Sequence, residues 1–323
     1  MKNKLPLNFI LSFCKEILPG HGEDCICHAF CDTAGLLGVF DGCGGAGARK
    51  HECYTGRTEA YMASRLVAGA FFDQFRAFYP SDMGAEEFAY GVMTPALGQC
   101  LQTYQPPKED SAFQIRGSMV RTLPTTAAAA VIRPLDSGAM EISAIWAGDS
   151  RVYILDEQGL AQLTVDDTSV PDPMENLYED GVLKNILCAE KETKLHLNTV
   201  TIPGPALVFA ATDGCFGYVS TPMEFEGMLL DSLVTAQSPA QWEQQLAAIV
   251  GQFAGDDHTL CLAALGYGDF EEMKNIFAAR YQQLCDQSLN CLSQLPLEDR
   301  QTRQQLWAEY RSQYCRFMKE GSA

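Results

Sequence analysis

The chain has 323 residues, 47% of them hydrophobic and 20% charged, the composition of a folded globular protein and not of a disordered one. Its formal charge of −18 excludes a nucleic-acid binder of the backbone-reading kind, whose affinity comes from clustered Lys and Arg releasing counterions. Chemistry on any anionic group would need bound cations to invert the local field.

The amino-terminal stretch MKNKLPLNFILSFCKEILPG is apolar, but it carries Lys15 and Glu16 and no small-residue cleavage site, so it does not read as a secretory leader. No apolar run approaches the 18 residues of a membrane span. Thirteen cysteines without a C-x-x-C pair fit a reducing, cytoplasmic setting, most of them as small core residues. Cys25, Cys27 and Cys31 lie near His21 and His28 and raise the question of zinc, but alternation of 25 and 27 on a strand accounts for them more simply.

CICHAFCDTAG and LLGVFDG read as a β-hairpin turning around Thr33 to Gly35, followed by the glycine-rich loop GCGGAGARK. From about Thr55 to Tyr79 the residues Ala60, Met62, Ala63, Leu66, Val67, Ala70 and Phe71 recur at helical spacing, and Ala85 to Tyr104 reads the same way. TTAAAAVIRP, GAMEISAIWAGDS and RVYILDEQG then form an antiparallel meander broken by turn residues. Asp166 to Leu187 is polar and turn-rich, either a mobile flap or a surface excursion, with composition favouring the second. Strands resume at TKLHLNTVTI and PALVFAATDG, a helix covers Pro239 to Phe253, and DDHTLCLAALGY closes the set. The order predicts an α+β fold over residues 1–266, an antiparallel β-sandwich flanked by helices on both outer faces. Residues 267–323 form a C-terminal helical hairpin broken at Leu295 to Leu297, which either packs on the body or serves as an arm for a protein partner.

Three apolar runs end in an aspartate beside a small residue: Asp41-Gly42, Gly148-Asp149-Ser150 and Asp213-Gly214. Asp256 and Asp257 stand just before the last strand, and Glu23-Asp24 at the head of the first hairpin. Any one such pair is an ordinary turn. In an antiparallel sandwich, however, strand ends lie beside strand starts, so all of them can meet at one edge. Carboxylates gathered that closely raise one another's pKa and call for cations, and all-oxygen donors suit Mg²⁺ or Mn²⁺.

These segments resemble a known family. VFDGCGG is similar to the VFDGHGG or VFDGMGG element of PPM-type (type 2C) metal-dependent serine/threonine phosphatases. AIWAGDSRVYIL resembles their GDSR strand, LVFAATDGCFGYVS their ASDG element, GDDHTLCLAAL their DNxT/S strand, and HGEDCICHA their NEDA segment, all in the family's order. The resemblance implies two or three Mn²⁺ or Mg²⁺ ions per chain and a phosphorylated protein as substrate. Asp41 would bridge two metals, Gly42 would offer its carbonyl, and Asp213 and Asp256 would complete the first shell. Glu23 and Asp24 would act through waters, and Asp149 with Asp213 would support a third metal. A hydroxide bridging the first two metals would attack phosphorus in line. The pattern is departed from in four places: Cys43 stands where many members have histidine, Asp257 where asparagine is common, Ile17 to His21 lack the phosphate-holding arginine, and the loop between Gly45 and the first helix is longer than usual. Arg49 and His21 are the candidate substitutes. The missing clamp supports an alternative, a catalytically weak or inactive relative acting as a regulatory binding module.

Overall fold

The computed structural model describes residues 3–78, 83–104, 120–170, 172–179, 181–296 and 298–318. Leu7–Lys15 forms strand β1, and Cys25–Cys31 (β2) turns through Asp32 and Thr33 into Ala34–Phe40 (β3), the expected hairpin. A short ribbon, Lys50–His51 (β4) with Arg57–Thr58 (β5), leads into Glu59–Phe78 (α1). The second helical stretch is a π-helix over Glu87–Met93 that continues as Thr94–Thr103 (α2). Next come Ala127–Pro134 (β6), Met140–Ala147 (β7), Arg151–Asp156 (β8), Gly159–Gln162 (β9), His196–Ile202 (β10) and Ala206–Ala211 (β11). The one-turn helix Asp213–Phe216 (α3), Pro222–Thr235 (α4), Pro239–Phe253 (α5) and His258–Leu265 (β12) precede the C-terminal helices Phe270–Leu284 (α6), Asn290–Leu292 (α7) and Arg300–Tyr314 (α8).

The long strands form two five-stranded sheets whose paired neighbours are all antiparallel, ordered β1-β12-β11-β8-β9 and β10-β7-β6-β3-β2. The alanine run of β6 shows how sequence is sorted by the pleat: Ala128 and Ala130 enter the inter-sheet core, whereas Ala127 and Ala129 face the α1–α2 layer. Val67, Phe71, Phe75 and Leu97 cover that outer face. Leu229, Leu233, Trp242 and Phe277 cover the outer face of the other sheet, from α4, α5 and α6. Each such side chain contributes about 1.5–3 kcal/mol when fully buried. The result is the α+β sandwich with helices on both outer faces.

The C-terminal hairpin packs on the β1-β12-β11-β8-β9 sheet with α4. Glu226 of α4, fully buried, accepts from Arg280 Nε at 2.7 Å and Nη2 at 2.9 Å, and from the Tyr310 hydroxyl. The Tyr314 hydroxyl donates to Gln162 Oε1 at 2.9 Å. Among the described residues no helix is long and apolar enough to cross a membrane.

The structure adds elements to the sequence reading, β1, β4, β5, β9, α3 and α4 among them, and trims one. Leu7–Lys15, read above only as an apolar terminus, is an edge strand paired with β12. α4 is also additional; Thr221 caps it by accepting from Glu224 N at 3.3 Å, with Pro222 in the first turn. The first long helix starts at Glu59 and not at Thr55, because Arg57 and Thr58 pair with β4 and the Thr58 hydroxyl accepts from Tyr61 N at 3.0 Å. The expected limits at Tyr79 and Leu297 lie outside the described residues.

Candidate metal centre

Strand register decides where the acidic residues fall. Ala211 pairs with both Arg151 and Leu260. Asp213, just beyond β11, therefore lies beside Asp149, just before β8, and beside Asp256, ahead of β12. In the other sheet Cys25 pairs with Phe40 and Val39 with Ala128, which sets Asp24 opposite Asp41 and both next to Thr126. Hydroxyls fasten the two sheets at this edge: Thr212 donates to Asp24 Oδ2 at 2.9 Å, and Thr126 meets Ser150 at 2.7 Å. The Asp41 carbonyl accepts from Thr126 N at 2.8 Å and from the Thr125 hydroxyl at 2.7 Å, fixing the exit from β3. Gly214 allows the Asp213 and Asp257 loops to nest, since a Cβ there would collide with the Asp257 carbonyl.

Asp24 is buried, Glu23, Asp41, Asp149 and Asp213 are half-buried, and Asp256 stands exposed at the rim. Burial raises Asp24 to about 8, with Asp213 and Asp257 pushing the same way and the Thr212 hydroxyl opposing. Burial also raises Asp149 to about 8, aided by Asp213 and Asp166 and opposed by Arg151. Asp213 rises to about 6 through burial and then Asp256. Asp41 is pushed well above the carboxylate range by burial, then by Asp24, Asp213, Asp149 and Asp256. Burial raises Glu23, with Asp257 and Asp256 adding and the Thr58 hydroxyl opposing. The carboxylates thus feel one another across the edge.

The donors are hard oxygens throughout, and no basic group offsets Asp41 among its leading influences. Arg151, the guanidinium acting on Asp149 and Asp213, is committed to Asp166 at 2.7–3.1 Å and lies over the Phe216 ring. Unbalanced, oxygen-only negative charge fits divalent cations of the Mg²⁺ and Mn²⁺ kind. Among the described residues no three Asp, Glu, His or Cys side chains are drawn into a ready-made cage, the cysteines and histidines near β2 included. The acidic side chains share one edge but stand apart, as mutual repulsion favours.

Beside Asp149 and Asp213 opens a cleft of about 410 Å³ walled by Thr168, Asn176 and Tyr178. These belong to the polar stretch after β9. Asp167 accepts from Gly148 N at 3.0 Å and from Asn185 at 2.9 Å, and the Tyr178 hydroxyl donates to the Ser220 carbonyl at 2.7 Å. The stretch is tied to the body on both sides of the cleft.

No family model and no curated protein matches the chain. Solved structures do. Serine/threonine phosphatase Stp1 from Staphylococcus aureus is 16% identical, with 83% of this chain and 98% of that one covered at a TM-score of 0.60. The PPM Ser-Thr phosphatase MsPP from Mycobacterium smegmatis, in complex with cacodylate, is 12% identical over 80% and 99% at 0.56. The catalytic domain of serine threonine protein phosphatase PstP, in complex with two manganese ions, is 16% identical over 80% and 98% at 0.52. The chain has the PPM-phosphatase fold.

Within this PPM-phosphatase fold, Arg49, Arg57 and Arg65 are each tied to groups of the protein itself. Arg49 lies 3.5 Å from buried Glu59, which His51 also meets at 2.7 Å, and His21 is exposed. Arg57 donates to the Gly20 carbonyl, and Arg65 donates to the Glu23 carbonyl at 3.1 Å while covering the Tyr61 ring at 3.5 Å. Neither was singled out above; the four-residue spacing of Arg57, Tyr61 and Arg65 was the available signal. Asp257 also acquires a reason: Oδ1 accepts from Ile17 N at 2.9 Å and Oδ2 from Glu23 N at 2.7 Å, two acceptors where asparagine has one oxygen. Burial, then Asp41, Asp149 and Asp213, push the Cys43 thiol well up, so it faces the centre as a neutral group.

Proposed function

We propose that the chain is a metal-dependent phosphoprotein phosphatase hydrolysing serine and threonine phosphomonoesters. The supporting observation is the meeting of Asp24, Asp41, Asp149, Asp213 and Asp256, from separate strand termini, at one edge. Asp41, the Gly42 carbonyl, Asp213 and Asp256 would hold two divalent ions, and Asp149 with Asp213 a third. The manganese in the PstP structure favours Mn²⁺, with Mg²⁺ as the alternative. When bound, the ions supply an activated water and positive charge against the phosphoryl oxygens. Asp24, held by Thr212, and Glu23, held by Thr58, shape the outer shell. Arg151, locked on Asp166, steadies the backbone next to Asp149. Asn176 and Tyr178 wall the side of the cleft and limit water. The free thiols of Cys14, Cys43 and the other cysteines support a reducing, cytoplasmic setting.

A second reading, a regulatory binding module that keeps the metals without turnover, is favoured by the ties that hold Arg49, Arg57 and Arg65. In that reading the helical hairpin would receive a protein partner. Hydrolysis of p-nitrophenyl phosphate and of a phosphothreonine peptide with Mn²⁺, with and without chelator, separates the two. Turnover should require metal and fall at least about 100-fold in Asp41→Asn and Asp213→Asn. Mn²⁺ binding without turnover on either substrate would refute the enzyme and leave the module.

A further inference from the structure

One face of α8 looks toward the cleft beside Asp149 and Asp213. Arg300, Trp307, Arg311 and Tyr314 are spaced seven, four and three apart, so they share a side of the helix. Opposite them lies the polar stretch after β9, whose one-turn 3₁₀ helix Glu175–Leu177 carries the cleft-lining Asn176 and Leu177, with Tyr178 directly after it. A turn that short has no stability of its own, so its place is set by what holds it. Asp172 supplies the first tie. Its Oδ1 accepts from Met174 N at 2.9 Å and Glu175 N at 3.1 Å, and its carbonyl accepts from Asn176 N at 2.9 Å. Its Oδ2 serves α8, accepting from Trp307 Nε1 at 3.3 Å and pairing with Arg311 Nη2 at 3.4 Å. The second tie starts at the Tyr314 hydroxyl, which donates to Gln162 Oε1 at 2.9 Å, and Gln162 Nε2 donates to Asp166 Oδ1 at 3.1 Å. Asp166 Oδ2 in turn accepts from Asn176 Nδ2 at 2.6 Å and from Arg151 Nη2 at 2.7 Å. Tyr314 and Gln162 are buried, which makes these bonds costly to lose. Met174 shares an apolar cluster with Trp307 and Tyr314, and the Arg300 guanidinium lies 5.0 Å from the Tyr178 ring.

We infer that α8 positions the wall of the cleft, Trp307 and Arg311 acting through Asp172, and Tyr314 through Gln162 and Asp166. These are positioning residues: they hold the groups that line the cleft. The C-terminal hairpin is then part of the construction of the site. The consequence for turnover rests on the phosphatase reading. The residues of a phosphopeptide that flank its phosphoryl group lie along Asn176 and Tyr178, whereas a small aryl phosphate reaches the acidic edge without them. Loosening the wall therefore weakens the peptide more than the aryl ester.

The test uses full-length protein and three variants. Asp172→Asn keeps an oxygen for Met174 and Glu175 but turns an N–H₂ group toward Trp307 and Arg311, which are donors themselves, so the tie to α8 is the one lost. Tyr314→Phe removes the second tie and keeps the ring. Gln313→Ala, which deprives α8 of its bonds to the Leu160 carbonyl and to Arg280, is the control. Amide exchange at Met174, Glu175 and Asn176 should quicken at least about fivefold in each of the first two variants, the worth of one hydrogen bond, and stay within about twofold in the control. With Mn²⁺, KM for a phosphothreonine peptide should rise at least about fivefold in Asp172→Asn with kcat nearly unchanged, and kcat/KM for p-nitrophenyl phosphate should stay within about twofold. Exchange no faster than in wild type, or equally quickened in Gln313→Ala, overturns the anchoring. An unchanged peptide KM beside quickened exchange, or an equal loss on both esters, overturns the positioning role. A wild type that hydrolyses neither ester refutes the phosphatase reading instead, and the exchange rates still decide whether α8 holds the wall.

Discussion

Replacing Asp24 by asparagine should stabilise the metal-free protein. Asp24 is 3% exposed and titrates near 8 in the fold, against 3.8 for an ordinary aspartate. A carboxyl whose folded-state pKa lies above its unfolded value supports the fold fully below about 3.8 and loses that support as pH climbs through about 8. At pH 7 the medium stands roughly three pH units above the unfolded pKa, and at about 1.36 kcal/mol per unit the fold forfeits up to ~4 kcal/mol. Asparagine has nothing to ionise, and its oxygen still accepts from the Thr212 hydroxyl, so Asp24→Asn should recover ~2–4 kcal/mol. Urea unfolding in the presence of chelator, at pH 5 and at pH 8, is the measurement. The wild type should weaken between the two pH values and the variant should weaken less, the remaining loss belonging to Asp41, Asp149 and Asp213. A variant less stable than wild type at pH 8, or one with the same loss between pH 5 and 8, would show that Asp24 carries no such strain.

Mn²⁺ binding at pH 7 should expel about one or two protons per chain, because Asp24 and Asp149 titrate near 8 and must give up protons to serve a cation. Calorimetric heats should therefore differ between PIPES and Tris at pH 7 and converge at pH 9; identical heats at pH 7 would contradict the raised pKa values. Glu226→Ala should cost about 3–5 kcal/mol in urea unfolding by stranding buried Arg280, and Glu226→Leu with Arg280→Met should restore most of it. Asp257→Asn should cost about 1 kcal/mol and speed amide exchange at Ile17 or Glu23, since one N–H loses its acceptor; unchanged exchange at both would refute the clamp.

Amphipathic spacing revealed α1, whose buried face of Ala60, Ala63, Val67, Phe71 and Phe75 repeats at three and four. Turn residues revealed the β6–β7–β8 meander. α4 escaped the same test because ten of its fourteen residues are buried between α5, α6 and the sheet, leaving no polar face to set a period. β1 escaped because both of its sides meet apolar surroundings: Phe9, Leu11 and Phe13 face the helices, Leu7 and Ile10 the inter-sheet core. The acidic residues were legible one at a time, as aspartates that end apolar runs. The work of Asp257 was not, since the amides it holds lie in the loop before β2, far away in the chain. Nor was the pairing of Glu226 with Arg280, which lie 54 residues apart in the chain, one of them on the helix that the sequence reading lacked.

Because every acidic group at the edge sits where a strand stops or starts, the acidic edge and the architecture are coded by different positions. The sandwich interior is built from Val39, Ala130, Ile142, Val208 and their neighbours, none of which is an acidic group of the edge. Exchanges at the tips, of which Cys43 and Asp257 are two, can diversify what such a protein does over evolutionary time while its scaffold stays recognisable. That separation is one physical way for overall shape to persist at 12–16% sequence identity.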